Sequence, residues 1–202
     1  MVEKLSIKIN DILDFDMSQI SGKITDKGYA GYVSQRTGEH YRLLSYLSSI
    51  MNGEMFLDLG TYKGYSAICL AANENNHVKT FDISDYRNKE DMSHYPNIEF
   101  FNKDVKDIDN ETILCSSVIL LDIVHNGLEE TKFIDRIFGL GYEGLIIVDD
   151  IYFNSEMIDF WINSTCPDTH TKFDFTEYFH ATGTGVYCPN NIEFLEKEWQ
   201  IT

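Results

Sequence analysis

The sequence predicts a single α/β domain built on an open, mainly parallel sheet, and three observations carry that expectation. Short apolar runs recur along the chain at Met55–Leu59, 78–81, 98–101, 118–121 and 145–148, and the last four are followed by the carboxylates Asp82, Asp104, Asp122 and Asp149-Asp150. Stretches of helical character, such as 65–72 and 131–138, separate several of these runs. Between the first run and its helix lies a turn carrying two glycines, Gly60 and Gly64. Continuous apolar runs of this length suit parallel strands buried on both faces. A carboxylate at a strand's carboxyl end lies where an open parallel sheet presents its crevice to a ligand.

The elements follow in order. Residues 1–35 are polar and glycine-punctuated and are expected to form a short amino-terminal cover over the ligand site. Residues 36–49 read as a helix, because Tyr41, Leu44 and Leu47 recur at about one turn and share a face. The five apolar runs supply parallel strands, with Gly141 and Gly144 marking the turn into the fifth, and 157–161 reads as a further helix. The tail folds back as two antiparallel strands, 171–178 and 186–188, around a turn at 180–185. No repeat or low-complexity tract divides the chain, so its 202 residues are read as one domain, 1–202.

Composition narrows the function classes. A formal net charge of −17 and a pI near 4.5 argue against a nucleic-acid groove, which needs clustered lysines and arginines. A small-molecule partner is the expectation, and an acidic surface also permits a homo-oligomer. No membrane span and no secretory signal are expected. Cys69, Cys115, Cys166 and Cys188 lack the short paired spacings of a zinc ribbon or a redox dithiol, which fits a reduced, cytoplasmic setting.

The most informative stretch is Phe56-Leu-Asp-Leu-Gly-Thr-Tyr-Lys-Gly-Tyr-Ser-Ala-Ile-Cys-Leu-Ala71, a strand, a glycine turn and a helix start. Its GxxxG spacing differs from the GxGxxG whose middle glycine makes room for a pyrophosphate, so a nucleoside ligand without one fits better. This segment resembles motif I of class I S-adenosylmethionine-dependent methyltransferases, and is particularly similar to small-molecule O-methyltransferases of the catechol type. The resemblance implies a Rossmann-like three-layer sandwich with a seven-stranded mixed sheet, order 3-2-1-4-5-7-6, strand 7 antiparallel. It also implies S-adenosylmethionine as cofactor. Asp58, Gly60 and Ser66 match the loop around its methionine part, with Tyr62 and Gly64 beside them. Asp82 matches the acid that accepts from ribose hydroxyls, and Asp104 the position near adenine. Ordinary duties compete with each assignment: a tight turn for the glycines, an early-helix serine for Ser66, a loop cap for Asp104.

Asp122, Asp149 and Asp150 form a second signal, since neighbouring strands would bring them together. Close carboxylates repel unless protonated, solvated or compensated by a cation, and a hard divalent ion such as Mg2+ compensates them with oxygen ligands. The resemblance implies the same, because catechol-type enzymes carry Asp, Asp and Asn at the matching positions and metal-dependent sugar and antibiotic O-methyltransferases carry acids there. His125, three residues past Asp122, is the candidate general base, read as a neutral imidazole near physiological pH. Asn126 is a weaker candidate for orienting substrate. His40 and Arg36 are read as solvated charges. The resulting expectation is a divalent-metal-assisted O-methyltransferase acting on a hydroxyl of a small molecule. A noncatalytic S-adenosylmethionine-binding or assembly protein and a nicotinamide-dependent oxidoreductase remain as alternatives.

Overall fold

A computed structural model describes residues 4–36 and 39–195. Its strands are β1 (Leu5–Lys8), β2 (Met55–Leu59), β3 (His77–Asp82), β4 (Ile98–Asn102), β5 (Val118–Leu121), β6 (Leu145–Asp149), β7 (His170–Asp174), β8 (Thr184–Pro189) and β9 (Ile192–Leu195). The α-helices are α1 (Ile9–Leu13), α2 (Ser18–Ser21), α3 (Lys27–Ser34), α4 (Tyr41–Ile50), α5 (Tyr65–Leu70), α6 (Lys89–Met92), α7 (Asn110–Leu114), α8 (Leu128–Gly139) and α9 (Ser155–Asn163). Seven strands form one sheet in the order β4-β3-β2-β5-β6-β8-β7. β2 to β6 run parallel, while β8 is antiparallel to both β6 and β7. The expected order and the expected antiparallel strand are therefore both present.

Burial on both sheet faces explains the continuous apolar runs. Phe56, Val118, Leu120, Leu145 and Ile147 face one core, whereas Leu57, Leu59, Ile119, Leu121, Ile146 and Val148 face the other. This period of two puts Asp58 and Asp149 on the face shared with α4 and α5. Strand order reverses between β2 and β5, and that switch point opens the crevice at the carboxyl edge.

The amino-terminal segment is more apolar in its packing than its composition suggests. Ile7, Ile9, Ile12, Met17, Ile20, Ile24 and Val33 are all buried in the core that also holds Leu43, Leu44 and Leu47 of α4. β1 pairs in parallel with β9, a strand for which the sequence offered no signal, so the two ends of the described chain are tied together. Residues 191–202, which the sequence permits as part of an oligomer interface, fall partly outside the described residues.

Candidate active site

The carboxyl edge divides into two halves. In the half made by β2, β3 and β4, Asp58 is fully buried and accepts a 2.5 Å hydrogen bond from the Thr80 hydroxyl, while its Oδ1 has no partner. Burial pushes its carboxyl up to about 6, against the opposing hydrogen bonds of Thr80 and Ser66. Ser66 itself is buried in the first turn of α5. Asp82 accepts the Tyr62 amide at Oδ2 (2.8 Å) and the Ser84 amide at Oδ1 (2.9 Å). Each oxygen keeps a further lone pair for a ligand hydroxyl. Tyr62, Ile83 and Tyr86 are exposed around it, with the two tyrosine rings 6.3 Å apart.

Both glycines of the turn adopt positive φ, +105° at Gly60 and +89° at Gly64. A side chain at Gly60 would fall on the Asp122 carbonyl oxygen, and one at Gly64 would lie 2.5 Å from the Met92 sulfur. The missing Cβ atoms thus let the protein pack on itself, and Gly60 in particular locks the end of β2 against the residue after β5. Asp104 caps the short 3-10 turn at Val105–Asp107 by accepting the Lys106 amide at 3.0 Å, and it pairs with the Lys106 ammonium at 2.8 Å. Those Lys106 contacts hold its carboxyl below the usual range.

In the half made by β5 and β6, seven titratable side chains meet. Asp122 Oδ1 lies 3.2 Å from His125 Nε2, and Asp150 Oδ2 lies 3.6 Å from the same nitrogen. Asp149 is buried, with Oδ1 3.1 Å from His40 Nδ1. Glu39 Oε1 is 2.8 Å from His180 Nε2, and His180 Nδ1 is 3.6 Å from Asp150 Oδ1. The sequence reading of Asp122, Asp149 and Asp150 as a cluster with His125 therefore meets a larger assembly that also draws in Glu39, His40 and His180.

The charges explain how four carboxylates coexist. Burial and the neighbouring Asp149 push Asp122 up to about 7, and burial with Asp149 also raises Asp150. Burial pushes Asp149 up as well, but His40 beside it wins and holds it below the usual range. Burial alone would lower both His40 and His125. Asp149 and Glu39 instead raise His40 to about 9, and Asp122 and Asp150 raise His125 to about 9. The field of Asp122 and Asp150 thus favours the charged form of His125 against burial, whereas the sequence reading took it as a neutral base. His40 likewise departs from a solvated charge: it is 2 % exposed, and its Nε2 has no partner. Arg36 does remain at the surface, paired with Asp14 at 2.8 Å.

Backbone strain marks the same edge. Among the described residues, positive φ outside glycine occurs at Tyr62 (42°), His125 (55°) and Asp150 (57°), one after each of β2, β5 and β6. Such conformations are uncommon outside glycine and persist where surrounding contacts hold them. For His125 the holding contacts are Glu130, which accepts its amide at 2.8 Å, and Asn154, which donates to its carbonyl at 2.8 Å. Asn126 is engaged locally, accepting the Leu128 and Glu129 amides at the start of α8. Among the aromatics, Trp161 and Phe179 are core, while Phe153 is 58 % exposed with its ring 5.6 Å from that of His125.

Among the described residues the three aspartates do not by themselves form one close group of ligand atoms; each close group includes a histidine. Groups of ligand atoms from Asp122, His125 and Asp149, and from Asp149, Asp150 and His180, lie within 4.8 Å of one another, a donor set suited to a divalent cation. For a nucleoside, the fit rests on Asp82 with its spare acceptor capacity and on the exposed apolar rim of Tyr62, Ile83 and Tyr86. Among the described residues no helix is long and apolar enough to cross a membrane.

The fold is that of solved methyltransferase structures. The chain is similar to an O-methyltransferase from Bacillus cereus in complex with S-adenosylhomocysteine, at 15% identity and a TM-score of 0.61, covering 89% of this chain and 94% of that one. It is similar to the methyltransferase PaMTH1 of Podospora anserina bound to S-adenosylhomocysteine, at 13% identity, TM-score 0.58, covering 89% and 88%. A putative caffeoyl-CoA O-methyltransferase from Staphylococcus aureus matches at 16% identity, TM-score 0.58, covering 74% and 82%. No family model matches the sequence, and no curated protein does.

Proposed function

We propose that this protein transfers a methyl group from S-adenosylmethionine to a hydroxyl oxygen of a small molecule, with a divalent cation held by Asp122, Asp149 and Asp150. The observation that carries the reading is the placement of Asp122 and Asp150 within 3.6 Å of His125, with Asp149 in one group of ligand atoms with Asp122 and His125, at the carboxyl edge of a sheet ordered like that of O-methyltransferases. The antiparallel β8 between β6 and β7 departs from the 3-2-1-4-5-6 order of dinucleotide-binding sheets, which weighs against a nicotinamide oxidoreductase.

The cofactor's roles fall to the β2–β4 half. Asp82 would accept from the ribose hydroxyls while its amide bonds hold the Tyr62 loop. Tyr62, Ile83 and Tyr86 would cover apolar surface of the nucleoside, and the buried Asp58 and Ser66 would support the floor of the turn. Asp104, already committed to Lys106, would border the adenine region rather than bind it alone.

On the other half, Phe153 and the exposed Val124 and Leu128 offer an apolar wall for the acceptor beside His125. A divalent ion held by Asp122, Asp149 and Asp150 would supply Lewis acidity for the acceptor hydroxyl and offset the negative field of these carboxylates. His125 would serve as proton acceptor, with Glu130 and Asn154 keeping its backbone in place. Alignment of the oxygen with the methyl group is the main work left to the protein. One observation favours a second, metal-free version: Asp122, Asp149 and Asp150 each already have an imidazole within 3.6 Å.

The test is release of S-adenosylhomocysteine from S-adenosylmethionine in the presence of a panel of vicinal diols, with magnesium or manganese and after chelation. Turnover that chelation abolishes is the expected result. Turnover indifferent to chelation would establish the metal-free version. Cofactor binding without turnover on any acceptor would favour a noncatalytic binding protein.

A further inference from the structure

We infer that the cation site extends beyond the three aspartates to His180, which Glu39 orients, and that the ion it takes is an imidazole-ligated first-row transition ion rather than magnesium. The inference rests on the metal-assisted reading above and concerns residues outside the aspartate triad.

Asp149, Asp150 and His180 each offer a ligand atom, and the three atoms lie within 4.8 Å of one another. The His180 ring is side-on between two acidic groups. Nδ1 faces the triad, 3.6 Å from Asp150 Oδ1 and 4.0 Å from Asp149 Oδ1, whereas Nε2 faces Glu39 Oε1 at 2.8 Å. Metal-ligating histidines ordinarily give their second ring N–H to a carboxylate, which fixes the tautomer and aims the ligating nitrogen. Glu39 occupies that position here, and it is itself held by the Tyr32 hydroxyl. Nδ1 also lies 2.6 Å from the Thr182 hydroxyl, which lies against Asp150 as well; with Nε2–H on Glu39 that hydroxyl donates to Nδ1, and Thr182 ties His180 to the triad until an ion takes the nitrogen.

The chemistry of the donors decides which ion fits. Magnesium demands six oxygens in near-ideal octahedral geometry, whereas imidazole suits zinc, iron, nickel and copper. A site in which His180 joins Asp149 and Asp150 gives magnesium a nitrogen neighbour it does not favour. Cobalt(II) is a suitable probe, since its visible absorption responds to coordination geometry and to exchange of an oxygen for a nitrogen ligand.

The experiment is a cobalt(II) titration of the full chain followed by visible absorption, repeated with magnesium as competitor and on H180A and E39Q. Folding of each variant is checked by circular dichroism and by binding of S-adenosylhomocysteine. The expected result is a ligand-field band that millimolar magnesium does not displace, that H180A changes in shape, and that E39Q weakens by roughly 10- to 100-fold in affinity. A cobalt spectrum unchanged in folded H180A, or magnesium binding as tightly as cobalt, would overturn the inference while leaving the aspartate site and methyl transfer standing. Absence of any divalent binding would overturn it too, and would reduce the reading to metal-free transfer.

Discussion

The two halves of the carboxyl edge are built on different principles. On the β2–β4 side, functional candidates are held by contacts within one turn or between neighbouring strands: Asp82 to Tyr62 and Ser84, Asp104 to Lys106, Asp58 to Thr80. On the β5–β6 side, the carboxylates are matched with imidazoles, two of which come from distant segments, His40 before α4 and His180 in the turn before β8. The first half is a preformed rim with spare acceptors. The second is a charge cluster in which carboxylates and imidazoles from several segments face one another. Substitutions on the rim should therefore change binding alone, and substitutions in the cluster should change chemistry and pH response.

The largest effect is expected at His125. H125A should lower turnover by about 10²- to 10⁴-fold, the usual worth of a general base, with the dissociation constant for S-adenosylhomocysteine within about twofold. Steady-state kinetics beside calorimetry would check it, and a change confined to cofactor affinity would erase the distinction between the halves. Gly60 joins the two halves physically. G60A should lose about 3 kcal/mol or more of stability in urea unfolding, because its Cβ meets the Asp122 carbonyl and its φ is +105°. A near-neutral G60A would mean that the ends of β2 and β5 are free to separate.

The cluster also predicts a pH dependence. His40 has a folded-state value near 9 against about 6.5 unfolded. A raised folded value means the stabilisation is fully present below pH 6.5 and is lost as pH rises through 9, on the order of 3 kcal/mol at most. His125 acts in the same direction. Urea midpoints should thus decline from pH 6.5 to 9, and H40Q should lower the acid-side plateau and flatten the slope. A wild-type midpoint that rises over this window would contradict the pairing of His40 with Asp149. The smallest effect is expected at the rim, where D82A should weaken S-adenosylhomocysteine binding by roughly 10- to 100-fold, the worth of a hydrogen-bonded charge. Unchanged affinity would remove Asp82 from the cofactor site.

Much of the fold was legible because burial on both sheet faces forces uninterrupted apolar runs, and because a glycine turn between strand and helix is a local signal. β1 and β9 were not legible, since four-residue strands at opposite ends of the chain carry no pattern that fixes their partner. The site divides the same way. Asp122, His125, Asp149 and Asp150 stand out at strand ends, whereas Glu39, His40 and His180 reach the cluster only through tertiary packing. The dipeptide Glu39-His40 just ahead of an amphipathic helix was the available hint. The bias of His125 toward its charged form was out of reach for another reason: it comes from Asp122 and Asp150 at 3.2 and 3.6 Å, which only the fold brings together. Gly60 shows the converse, a glycine whose special conformation is legible in the sequence but whose space is filled by the protein's own carbonyl.

Calorimetric titration of S-adenosylhomocysteine into the wild type, D82A and D122N decides whether rim and cluster are separate. Binding by the wild type, equal binding by D122N and clearly weaker binding by D82A are expected. No binding by folded wild type, or loss of binding in D122N with D82A unaffected, would contradict a cofactor rim on β2–β4 and a separate chemical cluster on β5–β6.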